Sequence, residues 1–243
     1  MITALNGWNA ELFLAINTFC QLFPAAMWTG FSLLGNTWGV FAVTSPLLVR
    51  APRLMVAWLC AAPFAIVFAR IGKGFIESPR PAAVLDNTQF RIVGEALHNV
   101  SMPSGHTTTA FAVASGIYFA LPVASRKRHL WLFGLAALAG LSRIAVGAHW
   151  PADVMVGAGL GVLSGVLGQK LLARIHPRHF VPTDWSQRLI AAIFIATTAM
   201  LVGDTLDFEE NHPLQYVLAG MVAITVFAFV RKSCTPIEKF LKP

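Results

Sequence analysis

The sequence predicts an all-α, polytopic transmembrane helix bundle of about seven spans, with an N-terminal amphipathic helix at the membrane interface. Of its 243 residues, 56% are hydrophobic and only 12% are charged, and the mean hydropathy is +0.65. Apolar runs recur along the chain, and a run of about 20 residues is long enough to cross a hydrocarbon layer. Basic residues gather between alternate runs, which is typical of membrane proteins with a fixed orientation.

The first element is the segment 8–24, which carries Glu11, Asn17 and Gln21 among its apolar residues. This composition suits an amphipathic helix lying in the interface, with a first membrane crossing as the alternative. The predicted spans follow it at residues 27–49, 54–76, 104–124, 130–147, 152–172, 188–203 and 214–230. We treat residues 1–243 as one membrane domain.

The basic residues orient this arrangement. They cluster at 50–53, 125–129, 170–188 and in the tail 231–243, all on one side of a seven-span chain. The positive-inside rule makes that side cytoplasmic, so the N-terminus is expected outside and the C-terminus inside. The opposite side carries most of the acidic residues, including those of the segment 204–211.

The net charge of +7 is therefore mostly topogenic, with some attraction to anionic lipid headgroups. A nucleic-acid partner is not expected, because no cationic face with interleaved aromatic residues is present in the sequence. The N-terminus lacks the features of a cleavable signal peptide. The three cysteines, Cys20, Cys60 and Cys234, have neither disulfide-framework nor zinc-site spacing.

Some basic residues are not explained by topology. They are Arg70, Lys73, Arg80, Arg91 and Arg143. Ionisable residues near the hydrocarbon are costly and by default indicate a functional site. Lys73 and Arg143 fall at the outer ends of predicted spans, and Arg80 follows in the loop after the second span, so all three converge on the outer face. The stretches "PSGH" (103–106) and "HWPAD" (149–153) open two further spans at the same face.

This set of groups suits a phosphate. Arginine offers a planar fork of donors and lysine a compact charge, so Lys73, Arg80 and Arg143 together could clamp one anion. Ser104 and Gly105 begin a predicted helix, where free backbone N–H groups and the positive end of the helix dipole attract an anion. Taken singly, Lys73 and Arg80 could instead be snorkelling interface residues.

Two histidines suggest that the phosphate reacts. His149 and Asp153 are four residues apart and would share one helical face. The carboxylate can then fix the imidazole tautomer and leave the other ring nitrogen free to attack. His106, from a different helix, could protonate the leaving oxygen. A metal site made of these three side chains is the alternative, but the neighbouring cations would repel a divalent ion.

Three blocks resemble the signature of the type 2 phosphatidic acid phosphatase superfamily. They are "KGFIESPRP" (73–81) as K-x6-R-P, "PSGH" (103–106), and "SRIAVGAH" with Asp153 as S-R-x5-H-x3-D. The resemblance covers a core of about 54–172 and leaves the additional spans at about 188–230 without a signature.

The resemblance implies a role for each motif position. Lys73, Arg80, Ser104, Gly105 and Arg143 would hold the phosphoryl oxygens. His149 would form a phosphohistidine, oriented by Asp153, and His106 would protonate the leaving oxygen and then activate water. No metal or other cofactor is implied. The vanadate chemistry of the related soluble haloperoxidases is not expected in a chain of seven spans.

The expected function is dephosphorylation of a lipid phosphate or diphosphate at the periplasmic face of a bacterial inner membrane. Undecaprenyl diphosphate is the first expectation, on its prevalence in the family. Lipid A, phosphatidylglycerol phosphate and phosphatidate stay open, as does phosphotransfer to a second lipid by the same site. A channel or transporter is disfavoured, because the unexplained charges gather at one end of the spans. Expected contacts are the lipid substrate and membrane lipids, with the oligomeric state left open.

Overall fold

A computed structural model describes residues 7–234, and these form α-helices joined by loops and short 3-10 turns, with no strand in that range. The helices are α1 (Gly7–Cys20), α2 (Ala25–Ser32), α3 (Thr37–Thr44), α4 (Leu47–Arg50), α5 (Pro52–Phe75), α6 (Gly105–Ala120), α7 (Trp131–Ala145), α8 (Pro151–Leu172), α9 (Trp185–Gly203) and α10 (His212–Ser233). The predicted all-α class is confirmed for the described residues. Residues 235–243 of the predicted basic tail lie outside them.

Fewer helices than expected pass a length and composition test for a membrane span. Within residues 7–234 the helical segments that pass are Pro52–Phe75, Pro151–Leu172, Pro177–Gly203 and Glu209–Ser233. The pair α1 and α2, bent by 116°, makes a fifth if it is counted as one broken span. The predicted number of about seven is thus not confirmed, because α6 and α7 have only 16 and 15 residues.

The first predicted span, 27–49, is wrong as a single helix: the structure breaks it into α2, α3 and α4. The first break is stabilised by Asn36, whose side-chain oxygen accepts hydrogen bonds from the backbone N–H groups of Trp38 and Gly39. This is an N-cap, which starts a new helix rather than continuing the old one. Gly35 packs against α6 at the break, since a Cβ there would lie 2.6 Å from the backbone oxygen of His106.

Helix α1 corresponds to the predicted amphipathic segment 8–24. Its buried side consists of Asn9, Phe13, Asn17 and Cys20, whereas the large apolar residues Leu12 and Phe19 are exposed. Phe13 is fully buried and makes edge-on ring contacts with Phe90 and Trp150, at centroid distances of 5.0 and 5.3 Å. These partners belong to the loop after α5 and to the start of α8. The position of α1 relative to the membrane surface stays a prediction.

The centre of the bundle is formed by α5, α6 and α8, which approach closely through small residues. A Cβ added to Gly165 would lie 2.0 Å from Ser115 Oγ, and one added to Gly168 would lie 2.7 Å from the backbone nitrogen of Ala61. Small residues on facing sides of two helices let the helix backbones approach closely, as in many membrane proteins. Gly157, Gly161 and Gly165, spaced four residues apart, thus form a close-packing face of α8.

Helices α5 to α10 run up and down the bundle, so the loop 76–104 and the turn 146–150 lie at the same end of the molecule. The loop 76–104 is joined to the turn 146–150 by a hydrogen bond from Val93 N to Val146 O of 3.1 Å. At the opposite end, Arg53 of the basic segment 50–53 donates to Ala120 O, at the end of α6, at 2.9 Å. The basic segment 125–129 follows a few residues later in the chain. The polar motifs and the basic clusters therefore lie at opposite ends of the helices.

We expect Gly165→Ala to lower the free energy of unfolding by about 1–3 kcal/mol, because the new methyl group overpacks the α6–α8 contact. Thermal unfolding in detergent measures the effect. Gly159→Ala in the same helix is the matched control, since a Cβ there meets nothing within 4 Å. Equal melting temperatures for the two variants would contradict the close-packing role of Gly165.

Candidate active site

His149 and Asp153 form a buried pair where α7 passes into α8. His149 lies in the turn between the two helices, and Asp153 lies in the first turn of α8. His149 Nδ1 is 3.3 Å from Asp153 Oδ2, and the two residues are 2% and 0% exposed. The four-residue spacing therefore brings the two side chains together, as predicted.

The Asp153 carboxylate is itself fixed by two further donors. Its Oδ2 accepts hydrogen bonds from the backbone N–H of Trp150, at 2.9 Å, and from the hydroxyl of Ser101. The Ser101 hydroxyl also lies 3.3 Å from His149 Nδ1. With Nδ1 directed at these groups, the Nε2 of His149 is the nitrogen left for chemistry.

Arg80 faces that second nitrogen. Its Nη1 lies 3.2 Å from His149 Nε2 and donates to the carbonyl oxygen of Ala148 at 2.7 Å. Its Nε donates to the side-chain oxygen of Asn99. Arg80 is 5% exposed, so these bonds fix a buried guanidinium beside the imidazole.

Arg143 is equally buried but keeps one donor free. Its Nη1 donates to the hydroxyl of Ser32 at 2.6 Å, and its guanidinium lies 5.8 Å from the ring centre of Phe208. Its Nε is buried and has no hydrogen-bond partner among the described residues. A buried donor without a partner is costly, and at this position it fits a site for an anion.

Lys73, Ser104 and Gly105 complete the predicted clamp less directly. Lys73, at the end of α5, is half-buried and close enough to Arg80, Arg143 and Asp153 for their charges to interact. Ser104 caps α6, and its hydroxyl accepts a hydrogen bond from Thr107 Oγ1 at 2.9 Å. A Cβ at Gly105 would meet nothing within 4 Å, so open space lies in front of the helix start.

The surroundings of His149 keep its ring neutral. Burial, followed by the positive charges of Arg80, Arg143 and Lys73, lowers the pKa of His149 well below its ordinary value. A neutral imidazole has a lone pair on one ring nitrogen, and that nitrogen is then a nucleophile.

His106 is placed differently from the other predicted site residues. Its Nε2 contacts Asp207, which lies in the loop between α9 and α10, at 3.0 Å. The charges of Arg143 and Arg80 act on it, so it belongs to the same electrostatic cluster as His149. The structure thus gathers all the predicted residues at one end of the bundle.

Sequence reasoning missed the residues that hold the predicted ones. They are Ser32, Asn36, Asn99, Ser101 and Asp207, each of which contacts a predicted site residue or its carboxylate partner. For Ser101 a signal existed, because only Met102 separates it from "PSGH". For the others no pattern was available, since their contacts span long distances in the sequence.

Helix α1 supports the turn that carries His149. The side-chain nitrogen of Asn17, which is fully buried, donates to the carbonyl oxygens of Ile144 and Ala145 at 3.0 and 3.2 Å. Its side-chain oxygen accepts from the backbone N–H of Arg91 at 2.8 Å. One side chain therefore ties the loop 76–104 to the end of α7.

Comparison with known proteins decides the family. The model of the PAP2 superfamily matches residues 54–177, just over half of the chain. The chain belongs to the PAP2 superfamily. The match contains all three motif blocks and confirms the resemblance to the type 2 phosphatidic acid phosphatases.

Several curated members of the PAP2 superfamily are similar to this chain. A lipid A 1-phosphatase of Porphyromonas gingivalis is 46% identical over 138 residues, which are 52% of this chain and 30% of the relative. An undecaprenyl-diphosphatase of Sulfolobus acidocaldarius is 29% identical over 64% of this chain and 74% of the relative. The chain therefore spans less than a third of the first relative's length.

A solved structure shares the fold. The crystal structure of Aquifex aeolicus LpxE matches with a TM-score of 0.60 and 30% sequence identity. The match covers 70% of this chain and 99% of the LpxE chain. Nearly a third of the present chain therefore has no counterpart in that structure.

Proposed function

We propose that this chain is a membrane-embedded lipid phosphatase that works through a phosphohistidine at His149. The observation that carries the proposal is the environment of this side chain. Its Nδ1 is held by Asp153, while its Nε2 faces the guanidinium of Arg80. A neutral, oriented nucleophile beside buried cations is what attack on an anionic phosphate ester requires.

In the first step of the proposed reaction, His149 Nε2 attacks phosphorus. The bond between phosphorus and the leaving oxygen breaks, and that oxygen takes the electron pair and a proton from His106. Arg80, Arg143 and Lys73 stabilise the charge on the phosphoryl oxygens, together with the backbone N–H groups at the start of α6.

In the second step, His106 takes a proton from water as the water oxygen attacks phosphorus. The phosphorus–nitrogen bond breaks, its electron pair returns to His149, and inorganic phosphate is released. Asp153 stabilises the positive charge that His149 carries in the phosphorylated state. Phosphotransfer would differ only in that a lipid hydroxyl takes the place of water.

Lipid A carrying a 1-phosphate is the substrate that we rank first. The similarity to lipid A 1-phosphatases supports it, at 46% identity for Porphyromonas gingivalis and 32% for Rhizobium johnstonii. Undecaprenyl diphosphate, the first expectation from sequence alone, becomes the second candidate. It is supported by the 29% identity to the Sulfolobus acidocaldarius enzyme, which extends over more of this chain.

We also propose that the site faces the periplasm. The motif residues lie at the end of the helices opposite to the basic segments 50–53 and 125–129, and basic segments favour the cytoplasmic side. Polar motifs at a helix end beside long apolar helices suit a substrate with its phosphate in water and its acyl or prenyl tail in lipid.

A lipid panel tests the proposed activity. Purified protein in detergent is incubated separately with each lipid: lipid A carrying a 1-phosphate, undecaprenyl diphosphate, phosphatidylglycerol phosphate and phosphatidate. Soluble phosphate esters are tested in the same way, and phosphate release is measured for every substrate. We expect the highest kcat/KM on lipid A 1-phosphate. Turnover of soluble esters alone would refute the lipid assignment, and a phosphorylated acceptor with little free phosphate would indicate transfer instead.

His149→Ala should lower kcat by about 10³-fold or more, because the nucleophile is lost. The labelled phosphoenzyme that wild-type protein forms should disappear as well. His98→Ala is the matched control, since His98 is an exposed residue of the loop 76–104 at the same end of the molecule. A phosphoenzyme that persists in His149→Ala would show that another residue is the nucleophile.

Ser101→Ala should lower kcat by about 10-fold and leave KM nearly unchanged, because Asp153 loses one of the donors that orient it. Ser78→Ala is the control: its hydroxyl is also buried, but it has no hydrogen-bond partner among the described residues. Steady-state kinetics on one lipid phosphate compare the two variants. A similar loss in both would mean that Ser101 matters only for packing.

A further inference from the structure

The loop 204–211, between α9 and α10, reaches across the end of the bundle to His106. Asp207 Oδ2 lies 3.0 Å from His106 Nε2, and the side chains are 38% and 21% exposed. The loop lies outside residues 54–177, which match the family model. The contact joins residues 101 positions apart in the sequence.

The backbone of this loop is held in a strained conformation. Leu206 and Asp207 have φ angles of 42° and 82°, in the left-handed region that non-glycine residues seldom adopt. The side chains on either side of Asp207 fix it there, because Leu206 and Phe208 are 4% and 5% exposed. Strain of this kind persists where the surrounding structure imposes it, and it is concentrated at functional sites.

A second side chain orients the carboxylate. The side-chain nitrogen of Asn36 donates to Asp207 Oδ2 at 3.1 Å, while its oxygen caps α3. The amide is therefore fixed by the helix start and presents its N–H₂ to Asp207. His106, Asp207 and Asn36 repeat the arrangement of His149, Asp153 and Ser101: a histidine, a carboxylate and a donor that holds the carboxylate.

The charges around His106 explain why a carboxylate is needed. A protonated His106 faces the like charges of Arg143 and Arg80 and the ring of His149. Asp207 stays ionised beside it: burial raises the pKa of Asp207, but the hydrogen bonds with His106 and Asn36 and the charge of Arg143 outweigh this and hold it well below its ordinary value. The carboxylate is thus a permanent counter-charge.

We propose that Asp207 is a positioning residue that holds His106 as the proton donor to the leaving oxygen. The inference rests on the proposed phosphatase function and deepens it. The Nε2–H of His106 donates to the Asp207 carboxylate and stays there, so Nδ1 is the nitrogen that exchanges a proton with the substrate. The Nδ1 proton passes to the leaving oxygen as the phosphorus–oxygen bond breaks, and Nδ1 later accepts a proton from the attacking water.

The same geometry has a competing explanation, in which Asp207 acts as an internal anion that occupies the phosphate position and inhibits the enzyme. The two explanations predict opposite effects of removing the charge. A positioning residue lowers kcat when it is lost, whereas loss of an inhibitory carboxylate raises kcat/KM or lowers KM.

The first test uses the leaving group. Asp207→Asn keeps the size of the side chain and removes its charge, and we expect kcat on a lipid phosphate to fall by about 10–100-fold. On p-nitrophenyl phosphate the burst rate of nitrophenolate release, which reports phosphoenzyme formation alone, should fall by no more than about 3-fold, because nitrophenolate leaves readily without a proton from a general acid. Equal losses in phosphoenzyme formation from both substrates would reduce Asp207 to a structural role.

A double-mutant cycle on the lipid phosphate alone gives an independent answer. If Asp207 acts only through His106, His106→Gln combined with Asp207→Asn should be no slower than His106→Gln alone. Fully multiplicative losses would overturn the proposal. Glu210→Gln, which removes a negative charge from the same loop without contacting His106, is the control and should keep wild-type kcat.

A glycine variant separates the two explanations if Asp207→Asn fails to fold. Glycine suits the φ of 82° and leaves room for a small carboxylate. We expect Asp207→Gly to be slow and to recover at least about 5-fold when formate is added, as the missing carboxylate is supplied. A fast Asp207→Gly that formate inhibits would establish the inhibitory explanation.

These outcomes are distinguishable from failure of the proposed function. Wild-type protein that releases phosphate from none of the lipids refutes the function itself, before any variant is compared. Wild-type activity with Asp207→Asn at full kcat on the lipid phosphate refutes only the role of Asp207.

Discussion

The burial of two guanidinium groups beside a neutral histidine is the constraint on which the rest of this structure depends. Arg80 and Arg143 are each only 5% exposed and repel one another, and such burial is costly unless each donor finds an acceptor. The acceptors for Arg80 are the side-chain oxygen of Asn99 and the carbonyl oxygen of Ala148, and the acceptor for Arg143 is the hydroxyl of Ser32. The remaining buried donor, the Nε of Arg143, is where the energetic need for an anion is greatest.

The close packing at the centre of the bundle brings together the helix starts that surround these groups. The backbone N–H of Ser104 donates to the carbonyl oxygen of Asp153 at 3.1 Å, which ties the start of α6 to the first turn of α8. Such a contact needs helices that touch along their length, and Gly157, Gly161 and Gly165 provide the face for it. The small residues of α8, which lie further along the helix than the site, therefore help to fix the relative positions of Ser104 and Asp153.

Sequence alone predicted the parts of the fold that depend on local pattern. Helices α5 to α10 begin and end within a few residues of the predicted spans, because apolar runs and helix-starting prolines are local signals. The break of the first span at Asn36 was missed, since a cap competes with an apolar run and only tertiary packing decides between them. The same holds for α1, whose burial against Trp150 has no signature in its own composition.

The two carboxylate–histidine pairs show the same limit within the site. Asp153 is four residues from His149 on one helix, so periodicity alone places them together. Asp207 reaches His106 from a loop 101 residues away, and nothing in the sequence links the two. Reasoning from motifs therefore grouped His149 with Asp153 and with the proposed anion clamp, but it did not find the partner of His106.

The division between family core and flanking helices follows from this. Residues 54–177 carry every motif position, yet Ser32, Asn36 and Asp207, which bind Arg143 and His106 or orient their partners, come from outside that range. The candidate catalytic groups of the core can be recognised in the sequence because their residue types and spacing form motifs. Their orientation depends on side chains that must approach from the open end of the bundle, and in this chain the broken first span and the α9–α10 loop are the elements that reach it. The flanking helices thus help to build the candidate active site.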